Sequence, residues 1–195
     1  MTLRHLVRST TRGAHERLER ELNLEQGRWT LETYAGFLRA TLAVVEQAEP
    51  HIAVALRPYF PISDGGPTAT SRLNADLLAL GARDRPASQP RLPELKATAE
   101  AFGAAYVLEG SRLGGQVIAA ALTRQLGIGD EHLSYLCPSG VAIGPRWRAF
   151  VDALDDYGRT VDRAEWDTVA GTANEMFGAF REAFMQERIL VDHIN

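Results

Sequence analysis

Apolar positions along the chain recur with helical spacing, and the β-branched alternation of strands is scarce. From Thr2 to about Leu22, Leu3, Leu6, Val7, Thr10, Ala14, Leu18 and Leu22 fall on one stripe. Thr30 is placed to cap a second helix whose apolar set includes Tyr34, Phe37, Leu38, Thr41, Leu42 and Val45. Pro50 predicts a kink or an end there, with the pattern resuming through Ile52, Ala55 and Leu56. Pro58 to Pro67 reads as a loop, Thr70 to Leu80 as a short helix stopped by Gly81, and Ala82 to Pro93, with three prolines, as another loop. A long helix is predicted over Leu95 to Leu126, closed by Gly127 and Gly129. Cys137 to Pro145 forms a third break, and two final helices run from Trp147 to about Val161 and from Ala164 to about Leu190. Six or seven helices without strands predict an all-α fold, with residues 1–195 as one domain.

The long helix carries the most informative departure from pattern. Gly110, Gly114 and Gly115 interrupt an apolar stretch, each at about 1 kcal/mol relative to alanine. Gly103, Gly110 and Gly114 can share one face, which would let a flat body reach the main chain and would permit a kink. That body is either another helix or a planar ligand, and spacing alone leaves both open.

Composition narrows the field. The chain is 45% hydrophobic with net charge −4, enough apolar material for a full core and no basic block for nucleic acid. No run of about 18 apolar residues predicts a membrane span, and the N-terminus lacks a secretory apolar region. The single cysteine, Cys137, rules out an internal disulfide and fits a reducing cytoplasm. Lys96 is the only lysine, so any bound anion meets guanidinium groups.

Of five histidines, His15 is placed most suggestively, on the shoulder of the first stripe. Arg8, Arg12 and Glu19 lie seven before, three before and four after it, on the same flank. An imidazole there can ligate a metal, with the carboxylate fixing its tautomer and the cations holding carboxylates. The same residues also describe an ordinary surface helix with charge pairs. His5 and His51 read as partly exposed helix positions, and His132 and His193 as loop or tail residues. No HxxxH, HExxH, CxxC, P-loop or nucleophile elbow is present.

Taken together, three segments resemble the bacterial haem oxygenases, of the biliverdin-forming kind associated with bacteriophytochromes. They are Thr10-Thr11-Arg12-Gly13-Ala14-His15-Glu16-Arg17-Leu18-Glu19, Tyr106-Val107-Leu108-Glu109-Gly110-Ser111-Arg112-Leu113-Gly114-Gly115-Gln116 and, more weakly, Gly144-Pro145-Arg146-Trp147-Arg148-Ala149-Phe150. The resemblance implies haem held between the first helix and a kinked glycine-rich helix facing it across a cleft. It makes His15 the iron ligand, Glu19 its partner, and Arg8 and Arg12 the propionate contacts. Arg112, Phe177 and Phe184 join the haem-binding set. Gly110, Gly114 and Gly115 match the helix that crosses the other haem face. Ser111 stands where animal members carry an aspartate that anchors a water network.

The activity implied is oxidative cleavage of haem, which is both cofactor and substrate, to biliverdin with release of iron and carbon monoxide. Dioxygen is a co-substrate, and electrons come from an external reductase or ferredoxin, since one cysteine cannot hold an iron–sulfur cluster. A bacteriophytochrome is the implied biliverdin acceptor. The alternative is a non-catalytic haem binder of the same fold: a sensor, chaperone or store.

Overall fold

The computed structural model describes residues 1–23, 28–63, 65–82, 84–87 and 89–190. Among these are six α-helices and one short 3-10 turn, with no strand: α1 (Leu3–Leu22), α2 (Leu31–Leu56), α3 (Ala69–Ala79), α4 (Thr98–Leu126), α5 (Ile143–Gly158) and α6 (Arg163–Gln186), the turn being Asp130–His132. None of the helices is long and apolar enough to cross a membrane. His193 lies outside the described residues.

Helix ends follow local chemistry. Thr30 and Thr33 cap α2 reciprocally, the Thr33 backbone N–H donating to Thr30 Oγ1 at 3.1 Å and the Thr30 N–H to Thr33 Oγ1 at 2.8 Å. Thr2 gives α1 no side-chain cap, and Asp155 on α5 substitutes, accepting the Arg4 backbone N–H at 2.9 Å and pairing with the Arg4 guanidinium. Gly127 closes α4 with φ of 68°.

Four boundaries differ from the sequence pattern. Pro50 lies inside α2 without ending it, on an exposed position where water can take the carbonyl it frees. Helix α4 begins at Thr98 rather than Leu95, where the Glu100 carboxylate reaches back to the Ala97 N–H at 3.0 Å. Helix α5 begins at Ile143 rather than Trp147, because Pro145 falls in the first turn, where no intrahelical N–H is required. Helix α6 stops at Gln186 rather than Leu190: Arg188 turns left-handed at φ 57° and the Ile189 N–H closes onto the Phe184 carbonyl at 3.2 Å. On α1 the buried threonine is Thr11, its hydroxyl donating to the Val7 carbonyl at 2.8 Å, and Thr10 is exposed.

Helix α6 is the common support. Helices α1, α2 and α4 all pack on it, and α5 touches both α1 and α4. Its inner face is small and aromatic: Val169, Ala170, Ala173, Met176, Phe177, Phe180, Ala183 and Phe184. Gly103 on α4 is what permits the closest approach. A Cβ there would collide with the Val169 carbonyl and sit 2.8 Å from Thr172 Cβ. Leu3 on α1 likewise meets α5 at Gly158, where a Cβ would be 2.8 Å from the Leu3 Cβ. At the other end of α1, Arg181 on α6 clasps Glu21 at 2.7 and 3.2 Å.

The glycines of α4 therefore divide in function, and their alanine variants should move stability in opposite directions. Gly103→Ala should lose about 1–3 kcal/mol through overpacking against backbone. Gly114→Ala, with nothing within 4 Å of the new Cβ, should gain up to about 1 kcal/mol from helix propensity. Urea denaturation of the ligand-free variants measures both.

Candidate functional site

His15 is more than half exposed on α1, and its Nδ1 lies 3.4 Å from Glu19 Oε2 one turn on. The edge of its ring meets Phe177 of α6, centroids 5.5 Å apart and planes at 88°. With the carboxylate at Nδ1 and an aromatic ring beside it, Nε2 is the nitrogen left to ligate an external metal.

Seven residues before His15, Arg8 is exposed and pairs with no carboxylate among the described residues. Burial pushes the Tyr106 hydroxyl on α4 up, and the Arg8 guanidinium opposes that shift. Arg8 and His15 share one flank of α1, while Tyr106, Gly110 and Gly114, at steps of four, share one side of α4. The electrostatic link between Arg8 and Tyr106 joins the flank of α1 that carries His15 to the side of α4 that carries the glycines.

That side of α4 is bare. Gly114 is exposed with no atom of the described residues within 4 Å of a would-be Cβ, and Leu113 and Val117 stand 39% and 48% exposed beside it. At Gly110 a Cβ would meet only the Trp147 ring, at an ordinary 3.6 Å. An open backbone surface, unpartnered apolar side chains, a free imidazole nitrogen and an unpaired guanidinium fit a flat, apolar, metal-bearing molecule with carboxylates. Haem has those properties.

A family model, Heme oxygenase, matches residues 1–186. The chain belongs to the haem oxygenase family. Members open haem to biliverdin, and this chain is an enzyme of that kind. The fold is shared with a haem oxygenase from Leptospira interrogans (TM-score 0.75, 20% identity, covering 94% of this chain and 98% of that one). It is shared too with the NO- and CO-bound haem oxygenase from Neisseria meningitidis (TM-score 0.80, 20% identity, covering 100% and 96%). No curated protein sequence matches.

The structure sorts the remaining residues expected at the site. Arg12 pairs with Glu16 along the exposed face of α1 at 2.7 Å. Gly115 is buried, its would-be Cβ 3.3 Å from the Leu136 carbonyl, so it serves the packing of the 133–136 segment rather than the bare side. Ser111 is exposed and spends its proton on the Leu108 carbonyl at 2.8 Å, while approaching the Tyr135 hydroxyl.

Two expected haem contacts lie elsewhere. Arg112 is two residues beyond Gly110 and so on the far side of the helix; it is only 15% exposed and sits 3.4 Å from buried Glu109. Phe184 stacks on Phe37 at 5.4 Å in the core, because α6 turns that residue toward α2. Phe177, two turns earlier on α6, touches the His15 ring.

Sequence reading missed Glu109 and Arg146. Glu109 is 3% exposed and accepts from Arg146 at 2.7 and 2.8 Å. A lone carboxylate in an apolar helical run was the available signal.

His15→Ala should abolish axial ligation, read as loss of the native ferric haem spectrum. Glu19→Ala should be milder, weakening haem affinity about 10- to 100-fold. An equal loss in both, or none in His15→Ala, would contradict the arrangement.

Proposed function

We propose that haem lies between α1 and α4, with His15 Nε2 as its iron ligand and the backbone of Gly110 and Gly114 as the roof over its other face. Two observations carry this reading: a half-exposed imidazole with a carboxylate near Nδ1, and a side of α4 where, among the described residues, nothing lies within 4 Å of a would-be Gly114 side chain. Bound haem supplies the oxygen chemistry itself, being opened at a meso carbon to biliverdin with loss of iron and carbon monoxide.

The protein's part is placement. Glu19 accepts a hydrogen bond from Nδ1–H, which fixes the tautomer that leaves Nε2 free. Phe177 holds the ring by its edge. Arg8 takes a propionate, and Arg12 takes the other by exchanging its exposed pairing with Glu16, a contact of little intrinsic strength. Gly114 leaves room for a diatomic molecule between ring and helix. Ser111, rotated away from the Leu108 carbonyl, holds one water there.

Electrons enter from an external reductase or ferredoxin, a reading supported by the single cysteine and the lack of a dinucleotide-binding fingerprint. Similarity of the two main motifs to phytochrome-associated members supports delivery of the biliverdin to a bacteriophytochrome.

Turnover of the haem complex with ferredoxin, its reductase and NADPH tests the assignment, with a biliverdin absorption band as the expected result. A Gly114→Leu variant should bind haem through His15 yet form no biliverdin, because its side chain fills the space above the ring. Ser111→Ala should slow the reaction without stopping it. Haem that stays intact while hydrogen peroxide accumulates would instead favour a binder without turnover, for which the occupied Ser111 hydroxyl is the supporting observation.

Arg8→Ala should weaken haem binding by about 1.5–3 kcal/mol if its charge-assisted bond is buried in the complex. Isothermal titration measures the change.

A further inference from the structure

Behind the bare side of α4 lies a buried group of charges that the proposed haem contacts do not use. Glu109 and Arg146 are 3% and 10% exposed at their side chains and form a bidentate pair at 2.7 and 2.8 Å. The same guanidinium donates to the carbonyls of Ile62 at 2.7 Å and Pro61 at 3.3 Å, and lies 4.8 Å over the Phe60 ring. One side chain thus ties together α4, the first turn of α5 and the segment after α2.

Such a pair is a poor device for stability. Two buried charges lose much of their mutual attraction to desolvation, and an apolar pair of similar volume often serves as well or better. What the pair does provide is directional geometry, since a side-on guanidinium accepts only a narrow range of carboxylate positions.

The neighbours of the pair show what that geometry fixes. Glu109 precedes Gly110, and Arg146 precedes Trp147, whose ring is the only group among the described residues within 4 Å of a would-be Gly110 Cβ. Trp147 is itself held between Tyr106, at 5.4 Å, and Phe150, at 5.8 Å. Sliding α4 by one residue, about 1.5 Å, would break both hydrogen bonds and move Gly110 off the indole. Gly114 is one turn further along the same helix.

We infer that Glu109 and Arg146 are positioning residues, a clamp that sets the register of the Gly110–Gly114 roof over haem and, through it, which meso carbon is opened. The inference rests on the proposed haem site. Neither residue touches haem; both act through the backbone of α4.

The test is the double variant Glu109→Met/Arg146→Met in the full chain, which removes both charges while keeping volume. Arg112 and Glu49 both line the adjoining cavity of about 20 Å³. Amide hydrogen exchange in the ligand-free protein should rise about tenfold at Gly110 to Gly115 and stay unchanged at Ala99 to Ala105, which α6 holds. With haem bound, the ratio of biliverdin isomers should shift at least about twofold, and the carbon monoxide stretch of the ferrous complex should broaden.

Unchanged exchange and an unchanged isomer ratio in a folded double variant would overturn the clamp and leave the haem site standing. Wild-type protein that shows no Soret band on haem addition would overturn the haem site instead, whatever the exchange shows. Should the double variant fail to fold, Arg146→Lys, which keeps the charge but loses the side-on geometry, is read by the same exchange measurement, with wild-type protection there counting against the clamp.

Discussion

The close approach of α4 to α6 at Gly103 is the contact on which the rest of the arrangement depends. Without a side chain there, the α4 backbone reaches the Val169 carbonyl and Thr172, and the helix is seated on α6. Helix α1 is seated on the same support, anchored at one end by Asp155 and at the other by the Arg181–Glu21 pair. Two helices fixed on a third, and not packed extensively on each other, leave their facing sides free for a ligand. The site is a consequence of how the supports are placed.

Each glycine of α4 then answers a different demand. Gly103 and Gly115 are glycines because neighbouring backbone occupies the place of a side chain. Gly114 is exposed, and among the described residues nothing lies within 4 Å of a would-be side chain, which is the space the proposed haem takes. Gly110 is intermediate, shielded only by Trp147. The far side of the same helix carries Glu109 and Arg112, so charge and bareness are separated by the helix itself.

Much of this was legible in the residues. Helical periodicity located all six helices, and the Thr30 cap and the Gly127 stop fell where local chemistry put them. Two of the four boundary differences share a cause: Pro145 read as part of a break and Pro50 as a kink or an end, yet a first turn needs no N–H and an exposed helix face tolerates losing one. At the site, the one-turn spacing of His15 and Glu19 was sufficient to bring them together. Motif membership says nothing of helix azimuth, which turns Arg112 to Glu109; Phe184 shares the face of Phe177 but lies two turns further along α6, where it meets Phe37 of α2. The Glu109–Arg146 contact joins residues 37 apart and follows from tertiary packing alone.

A crystal structure of the ferric haem complex tests the central claim most directly. The account predicts iron bonded to His15 Nε2, with the opposite face of the porphyrin against the Gly110 and Gly114 backbone and a propionate on Arg8. Haem held elsewhere on the molecule, or between α1 and α4 with iron ligated by a residue other than His15, would contradict it.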